Sequence, residues 1–260
     1  MNIKKIMSAV CIASAALCLG ACTPEEEPQA VGEVAGRYEM IKISGTIGNA
    51  EVDASYYKYF RIDLEDDGSG RVSAAYNIPT LKPYVSEGTY TYADGVISFT
   101  VSDGGSSVTE AYAYDDGVIS YESHSSGMDI SATFTSDPVR LAELDVSGTY
   151  TMTYLRGTIY NSAGPDTILR LSDYDFGYVS LGPERSFTFV LRPCDSPVQT
   201  IEGVYCYSGG KTLKIRTFTG NTLSVPSTVD YPEPGVISFA LVGDSINIDM
   251  TFATDAALAG

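Results

Sequence analysis

Tryptophan is absent from this 260-residue chain, and histidine occurs once, as His124. That histidine lies in Ser123-His124-Ser125-Ser126-Gly127, a hairpin tip by its composition. A serine–histidine relay needs a third group to orient the imidazole, and none is marked, so His124 reads as an exposed turn residue. Basic residues are scarce as well: 16 lysines and arginines face 33 aspartates and glutamates, a net charge of −17. A surface of that sign repels phosphates and anionic headgroups, which excludes nucleic acid as a partner bound through a basic patch. No stretch holds the ~20 apolar residues that a membrane-spanning helix needs. The glycines fall in turn-like pairs and none opens a helix, so a phosphate-cradling loop is missing. Carboxylates are scattered through turns and wet strand faces, without a pair that stands out as a glycosidase acid and nucleophile. Asp63, Glu65, Asp66 and Asp67 precede Gly68-Ser69-Gly70 but lack the acid that a calcium loop places past its glycine. They read as a wet strand face ending in an Asp-Gly turn. These gaps predict a protein that is not an enzyme and uses neither metal nor cofactor.

What is present begins at the N-terminus. Lys4 and Lys5 precede an uncharged apolar stretch from Ile6 to Leu19, which ends in Leu19-Gly20-Ala21-Cys22. The stretch is too short to span a bilayer and has the layout of a signal peptide. Its end resembles the lipobox of bacterial lipoproteins, which implies that residues 1–21 are removed and that Cys22 is lipidated with acyl chains such as palmitate. The membrane would then be a partner through this lipid anchor alone. Cleavage takes two lysines and no acid, leaving 14 basic residues against 33 acidic ones, a net charge of −19. Residues 22–31 include Thr23-Pro24-Glu25-Glu26-Glu27-Pro28, an acidic, proline-containing leader that reads as a disordered tether. Its glutamates also resemble the acidic surface-export signal of Bacteroidetes lipoproteins, which implies exposure on the outer membrane; a solvated charge run is the plainer reading. Of the five cysteines, Cys11 and Cys18 leave with the signal and Cys22 is lipidated. Cys194 and Cys206 remain as a possible disulfide in an oxidising compartment, although a hairpin turning midway between them would hold them apart.

An internal repeat organises the rest. Gly36-Arg37-Tyr38-Glu39-Met40 recurs as Gly148-Thr149-Tyr150-Thr151-Met152, and Gly45-Thr46-Ile47 as Gly157-Thr158-Ile159, both 112 residues on. Glu87-Gly88-Thr89-Tyr90 answers Glu202-Gly203-Val204-Tyr205, and Gly117-Val118-Ile119-Ser120 answers Gly235-Val236-Ile237-Ser238. Blocks repeated in one order predict two domains, 32–137 and 146–255, each near the ~100 residues that support an independent core.

Inside each copy the apolar period is two. Met128, Ile130, Ala132 and Phe134 alternate with Asp129, Ser131, Thr133 and Thr135, which puts one strand face on a core and the other in water. Pairs such as Asp67-Gly68, Asp94-Gly95, Asp116-Gly117, Gly209-Gly210, Gly220-Asn221 and Gly243-Asp244 punctuate these runs and favour hairpin turns. Counting runs between turns predicts an all-β protein with eight strands per copy. Short connections favour two tandem up-and-down antiparallel barrels, with a β-sandwich as the alternative. Gly-x-Tyr at the first strand, eight meander strands and repeated domains behind a lipobox resemble the lipocalin-like domains of Bacteroidetes lipoproteins. Family lipocalins carry Gly-x-Trp at that place, where Tyr38 and Tyr150 stand here.

Tyrosine, present 19 times, is the remaining signal. Tyr56, Tyr57 and Tyr59 crowd the end of the long first loop, and Tyr154, Tyr160, Tyr174 and Tyr178 flank the same loop in the second copy. Rings at a barrel mouth could close over an apolar ligand or stack on a sugar, while strand propensity alone also enriches tyrosine. The lipocalin resemblance implies a non-catalytic binding module for a small apolar ligand or glycan. The alternative is a structural or protein-interaction lipoprotein, since a small barrel can be filled by its own side chains.

Overall fold

A computed structural model describes residues 31–103, 106–125 and 127–259; the expectations for residues 1–21, for Cys22 and for the tether up to residue 30 lie outside them. The chain forms two compact units that meet between Ala142 and Glu143, inside a short helix, Pro138–Glu143.

The first unit runs β1 (Gly36–Ile47), β2 (Ala50–Asp53), β3 (Tyr57–Leu64), β4 (Ser69–Tyr76), β5 (Tyr84–Ala93), β6 (Val96–Asp103), β7 (Ser106–Asp115), β8 (Val118–Ser125) and β9 (Met128–Thr135). Each strand from β3 to β9 pairs antiparallel with the next, and β1 pairs with both β3 and β9. Eight strands therefore close on themselves, which removes both sheet edges and decides for a barrel over a sandwich. Strand β2 is an extra ribbon: β1 runs past Ser44 to Ile47 and folds back so that Ser44 faces Asp53. At the Asp94-Gly95 and Asp116-Gly117 turns both residues take positive φ, 50° and 75° in one, 42° and 77° in the other, as two-residue hairpins require.

The second unit repeats the plan with β10 (Gly148–Ile159), β11 (Thr167–Arg170), β12 (Tyr174–Leu181), β13 (Ser186–Pro193), β14 (Gln199–Cys206), β15 (Thr212–Thr219), β16 (Thr222–Leu223), β17 (Ser227–Asp230), β18 (Val236–Gly243) and β19 (Ile246–Ala253). The pairing of β10 with β12 and β19 closes it. Where a single strand would complete the meander after β15, the chain is broken into β16 and β17. Pro226 has no N–H to give to a ladder, and the chain bulges out at Val225, which is 82% exposed.

The ring of strand–strand ladders is incomplete at one end. Pairing between β5 and β6 covers Ala93–Val96 to Thr89–Thr100 and stops, and β7 meets β8 only from Ala113–Ser120 to Asp115–Val118. The β6–β7 hairpin, laddered from Val96–Ala113 to Asp103–Ser106, is thus joined to its neighbours at one end and stands away from them at the other. A Cβ on Gly88 would lie 2.2 Å from the Thr100 carbonyl oxygen, so the strands cross where only glycine fits. Gly203 crosses the Arg216 carbonyl the same way, at 2.0 Å. The repeated Glu-Gly-x-Tyr block marks this crossing.

The other end is shut. Tyr38, 2% exposed, donates its hydroxyl to the Val34 carbonyl at 2.8 Å, and Tyr90 donates to the carbonyls of Glu65 at 2.8 Å and Val31 at 3.0 Å. In the second copy Tyr150 donates to Val146 at 2.7 Å, and Tyr205 lies 3.4 Å from the Gly182 carbonyl. Burial raises the pKa of Tyr38 and Tyr150 and pushes Tyr205 up to about 12. The tyrosine of Gly-x-Tyr is therefore a plug, with its one polar atom satisfied as a buried hydroxyl must be.

Candidate functional site

All eight strands of the first barrel contribute to a cavity of about 560 Å3 that opens at the unladdered end. Its walls are mostly apolar, with Ile43 from β1, Phe60 from β3, Val72 from β4, Phe99 from β6, Ile130 and Phe134 from β9. Alternation explains the set, because every second residue of a strand faces inward. Phe60 packs edge-on against Phe134, with ring centroids 5.0 Å apart, and Tyr112 lies 5.3 Å from Tyr121.

The copies differ here position by position, and the ladders fix which residues correspond. Ile62 pairs with Val72 as Val179 pairs with Phe189. Ile43 pairs with Ala132 as Leu155 pairs with Met250, and Tyr121 with Ala132 as Phe239 with Met250. Val72, Ala132 and Tyr121 of the first copy thus stand where Phe189, Met250 and Phe239 stand in the second. In the second barrel Phe189, Phe239 and Phe252 form a three-ring cluster with centroids 5.6–6.0 Å apart. Met152, Leu155 and Met250 join the same buried core. The first barrel has less bulk at these positions and holds a cavity, where the second packs the three rings and the methionines together.

One lining residue is a correction to the sequence reading, which had placed the carboxylates in turns and on wet faces. Val108, Glu110 and Tyr112 share the inward face of β7, and Glu110 sits opposite Phe99 across the β6–β7 ladder. The Tyr112 hydroxyl donates to Glu110 Oε2 at 2.6 Å, while Oε1 is buried without a hydrogen-bond partner. Removal from water raises the pKa of this carboxyl, and the Tyr112 hydrogen bond pulls it partly back. The corresponding ladder pair in the second barrel is Ile215–Ser227, so Glu110 has an exposed serine as its counterpart.

None of the seven tyrosines singled out from the sequence is among the residues lining the cavity. The long first loop is ordered: Asp53 caps a short 3-10 turn, Ala54–Tyr56, accepting from the Ser55 amide at 2.9 Å and from its hydroxyl, and the Asn77 amide donates to the Tyr56 carbonyl at 2.9 Å. Tyr57 is buried against Phe60 at 5.5 Å and Tyr76 at 5.3 Å, and so backs the wall. Phe60 shares the inward phase of Ile62 and Leu64, and a bulge at Tyr57/Tyr59 breaks the alternation before it; the Arg61 guanidinium lies over the Tyr59 ring, 4.5 Å from its centroid. In the second unit Tyr160 is 45% exposed, Tyr174 packs partly against the core, and Tyr178 stacks on Phe176 at 6.2 Å. The lining tyrosines are Tyr84, Tyr112 and Tyr121.

The possible Cys194–Cys206 bridge is not formed. Leu191 faces Gln199 near the turn of the β13–β14 hairpin and Ser186 faces Val204 at its far end, so an exposed Cys194 and a buried Cys206 lie at opposite ends, beyond the ~4.4–6.8 Å Cα separation of a disulfide. His124 is the last residue but one of β8, with Nδ1 2.9 Å from Asp129 Oδ1 and both side chains exposed. Asp67 accepts from the Ser69 amide at 2.8 Å, a turn contact rather than a cation loop. Among the described residues no group of three or more histidines, cysteines or acids is placed to hold a metal ion, and no helix is long and apolar enough to cross a membrane.

Two closed eight-stranded antiparallel barrels in tandem fit a lipocalin-like fold. Compared with protein-family models and with curated proteins, the chain matches none.

Proposed function

We propose that the protein is a Bacteroidetes-type lipoprotein, held on the outer membrane surface through Cys22, and that it is a non-catalytic binding module whose first barrel carries a small apolar ligand. The cavity of about 560 Å3 carries this reading, because small-molecule sites are concave, mostly apolar and ~300–1,000 Å3 in size. Its wall of phenylalanine and aliphatic side chains favours an apolar molecule over a glycan. The second barrel, filled by its own side chains, acts through its outer surface, where Tyr154, Ile168 and Phe176 are exposed. It serves as a structural or protein-contacting module.

The direct test is titration of the mature chain with N-phenyl-1-naphthylamine, an uncharged probe that fluoresces in apolar surroundings. One saturable site is expected, lost in Ala132→Met; a failure to bind overturns the ligand-carrier reading. Mass spectrometry of membrane-extracted protein should find the mature start at Cys22 with acyl chains attached. An unmodified Cys22 would sink the anchor.

A further inference from the structure

Resting on the ligand-carrier reading, we infer that the molecule held by the first barrel is cationic: an amine on an apolar or aromatic body, with its ammonium on Glu110. Fatty acids, bile acids and other anionic amphiphiles are correspondingly poor ligands.

The ionisable groups of the cavity wall, tyrosine hydroxyls aside, are Glu87 and Glu110, and no lysine, arginine or histidine is among the lining residues. An anionic head entering this space would meet carboxylates with no base to receive it. Glu110 itself is half provided for. Tyr112 donates to Oε2 at 2.6 Å, a short hydrogen bond of the charge-assisted kind, and Oε1 is buried with no hydrogen-bond partner in the protein. A buried acceptor in that condition is expensive. An ammonium supplies both the missing donor and the opposite charge.

The surroundings agree with this polarity. Phe99 lies across the ladder from Glu110, and Tyr112 and Tyr121 pack together beside it, so the head would also meet aromatic faces, which attract cations. The feature is confined to the copy that has the space: where the first barrel has Glu110 and Tyr112, the ladder register puts Ser227 and Val229 in the second. A net charge of −17 draws cations toward the protein from solution.

A matched pair of probes separates charge from shape. Tryptamine and indole-3-propionate share an indole on a two-carbon arm and differ in the sign of the head. In competition against N-phenyl-1-naphthylamine on the mature chain at pH 7.5, tryptamine is expected to displace the probe at a concentration about tenfold or more below indole-3-propionate. Glu110→Gln, which keeps the shape and an acceptor for Tyr112, should reduce that preference to within about threefold. Glu110→Lys should reverse it. If the probe binds but the two indoles compete equally, if indole-3-propionate competes better, or if Glu110→Gln leaves the preference intact, the inference is overturned and the ligand-carrier reading survives. If neither the probe nor either indole binds, both fall together.

Discussion

The two barrels are alike in everything that closes them and unlike in what they contain. Each has a buried tyrosine at the start of its first strand, donating to a backbone carbonyl four residues earlier at 2.8 or 2.7 Å. Each crosses two strands at a glycine that approaches a carbonyl too closely for any Cβ. Inside, Phe189 and Met250 of the second barrel are Val72 and Ala132 in the first. Frame and contents therefore depend on different residues, so a copy can gain a cavity without losing its barrel. The tyrosines and glycines set the frame; inward side chains in mid-strand decide whether the interior is core or chamber.

The most severe break in this comparison should come from removing a ring that spans the filled barrel. Phe252→Ala is expected to cost about 3–5 kcal/mol, because Phe252 is fully buried against two other rings. Phe134→Ala, at the matching place on a cavity wall, should cost at least about 1 kcal/mol less, since fewer packed neighbours surround a ring that already borders space. Denaturant unfolding followed by hydrogen exchange, resolved by peptide, assigns each loss to its barrel. Equal losses would mean the cavity is not an unfilled core.

Exchanging a single side chain between copies should move the chamber. Met250→Ala is expected to cost about 2–4 kcal/mol and to leave a void in the second barrel. Ala132→Met should abolish N-phenyl-1-naphthylamine binding while changing stability by no more than about 1 kcal/mol, because it fills existing space. The shared plug predicts the opposite symmetry. Tyr38→Phe and Tyr150→Phe each leave a buried carbonyl without its donor and should cost a similar ~1–2 kcal/mol in the two barrels; a loss confined to one copy would show that the plugs are not equivalent.

The smallest expected effect concerns Glu110. Its folded pKa lies above its ordinary value of 4.5 because of burial, so folding favours the protonated form. The stability linked to that proton is present below pH 4.5 and lost as pH rises through the raised folded value. Glu110→Gln should therefore match the wild type at pH 4 and exceed it at pH 8. Taking the difference between the two proteins cancels the other titrating groups. A difference independent of pH would place Glu110 in water.

Strands and their limits were largely legible in the sequence because alternation and Asp-Gly turns are local signals. The short ribbons β2, β11 and β16 were not, since they exist only as partners of strand ends that overrun their main ladder. The tyrosine clusters do not line the cavity: Tyr57 and Tyr59 flank a bulge that interrupts the alternation of β3, and a bulge leaves no mark in composition. Glu110 could have been found. In Val108-Thr109-Glu110-Ala111-Tyr112 it stands alone as an acid on the apolar phase of its strand, a conflict between residue and pattern of the kind that functional sites produce. The volume of the chamber was out of reach, because it arises from side chains that meet across the barrel from β4, β8 and β9.

On the proposed ligand-carrier reading, the parted seam beside Gly88 is the route by which a guest would reach the chamber. Where β5 and β6 stop pairing, the amides and carbonyls of residues 85–88 and 101–103 form no ladder with one another, and backbone groups in that position are hydrated. The side chains along the way, Ser86, Ser102 and Ser106, are polar too. A greasy molecule must therefore cross a wet threshold before it finds a dry room, and a molecule with one water-loving end can make that passage head first.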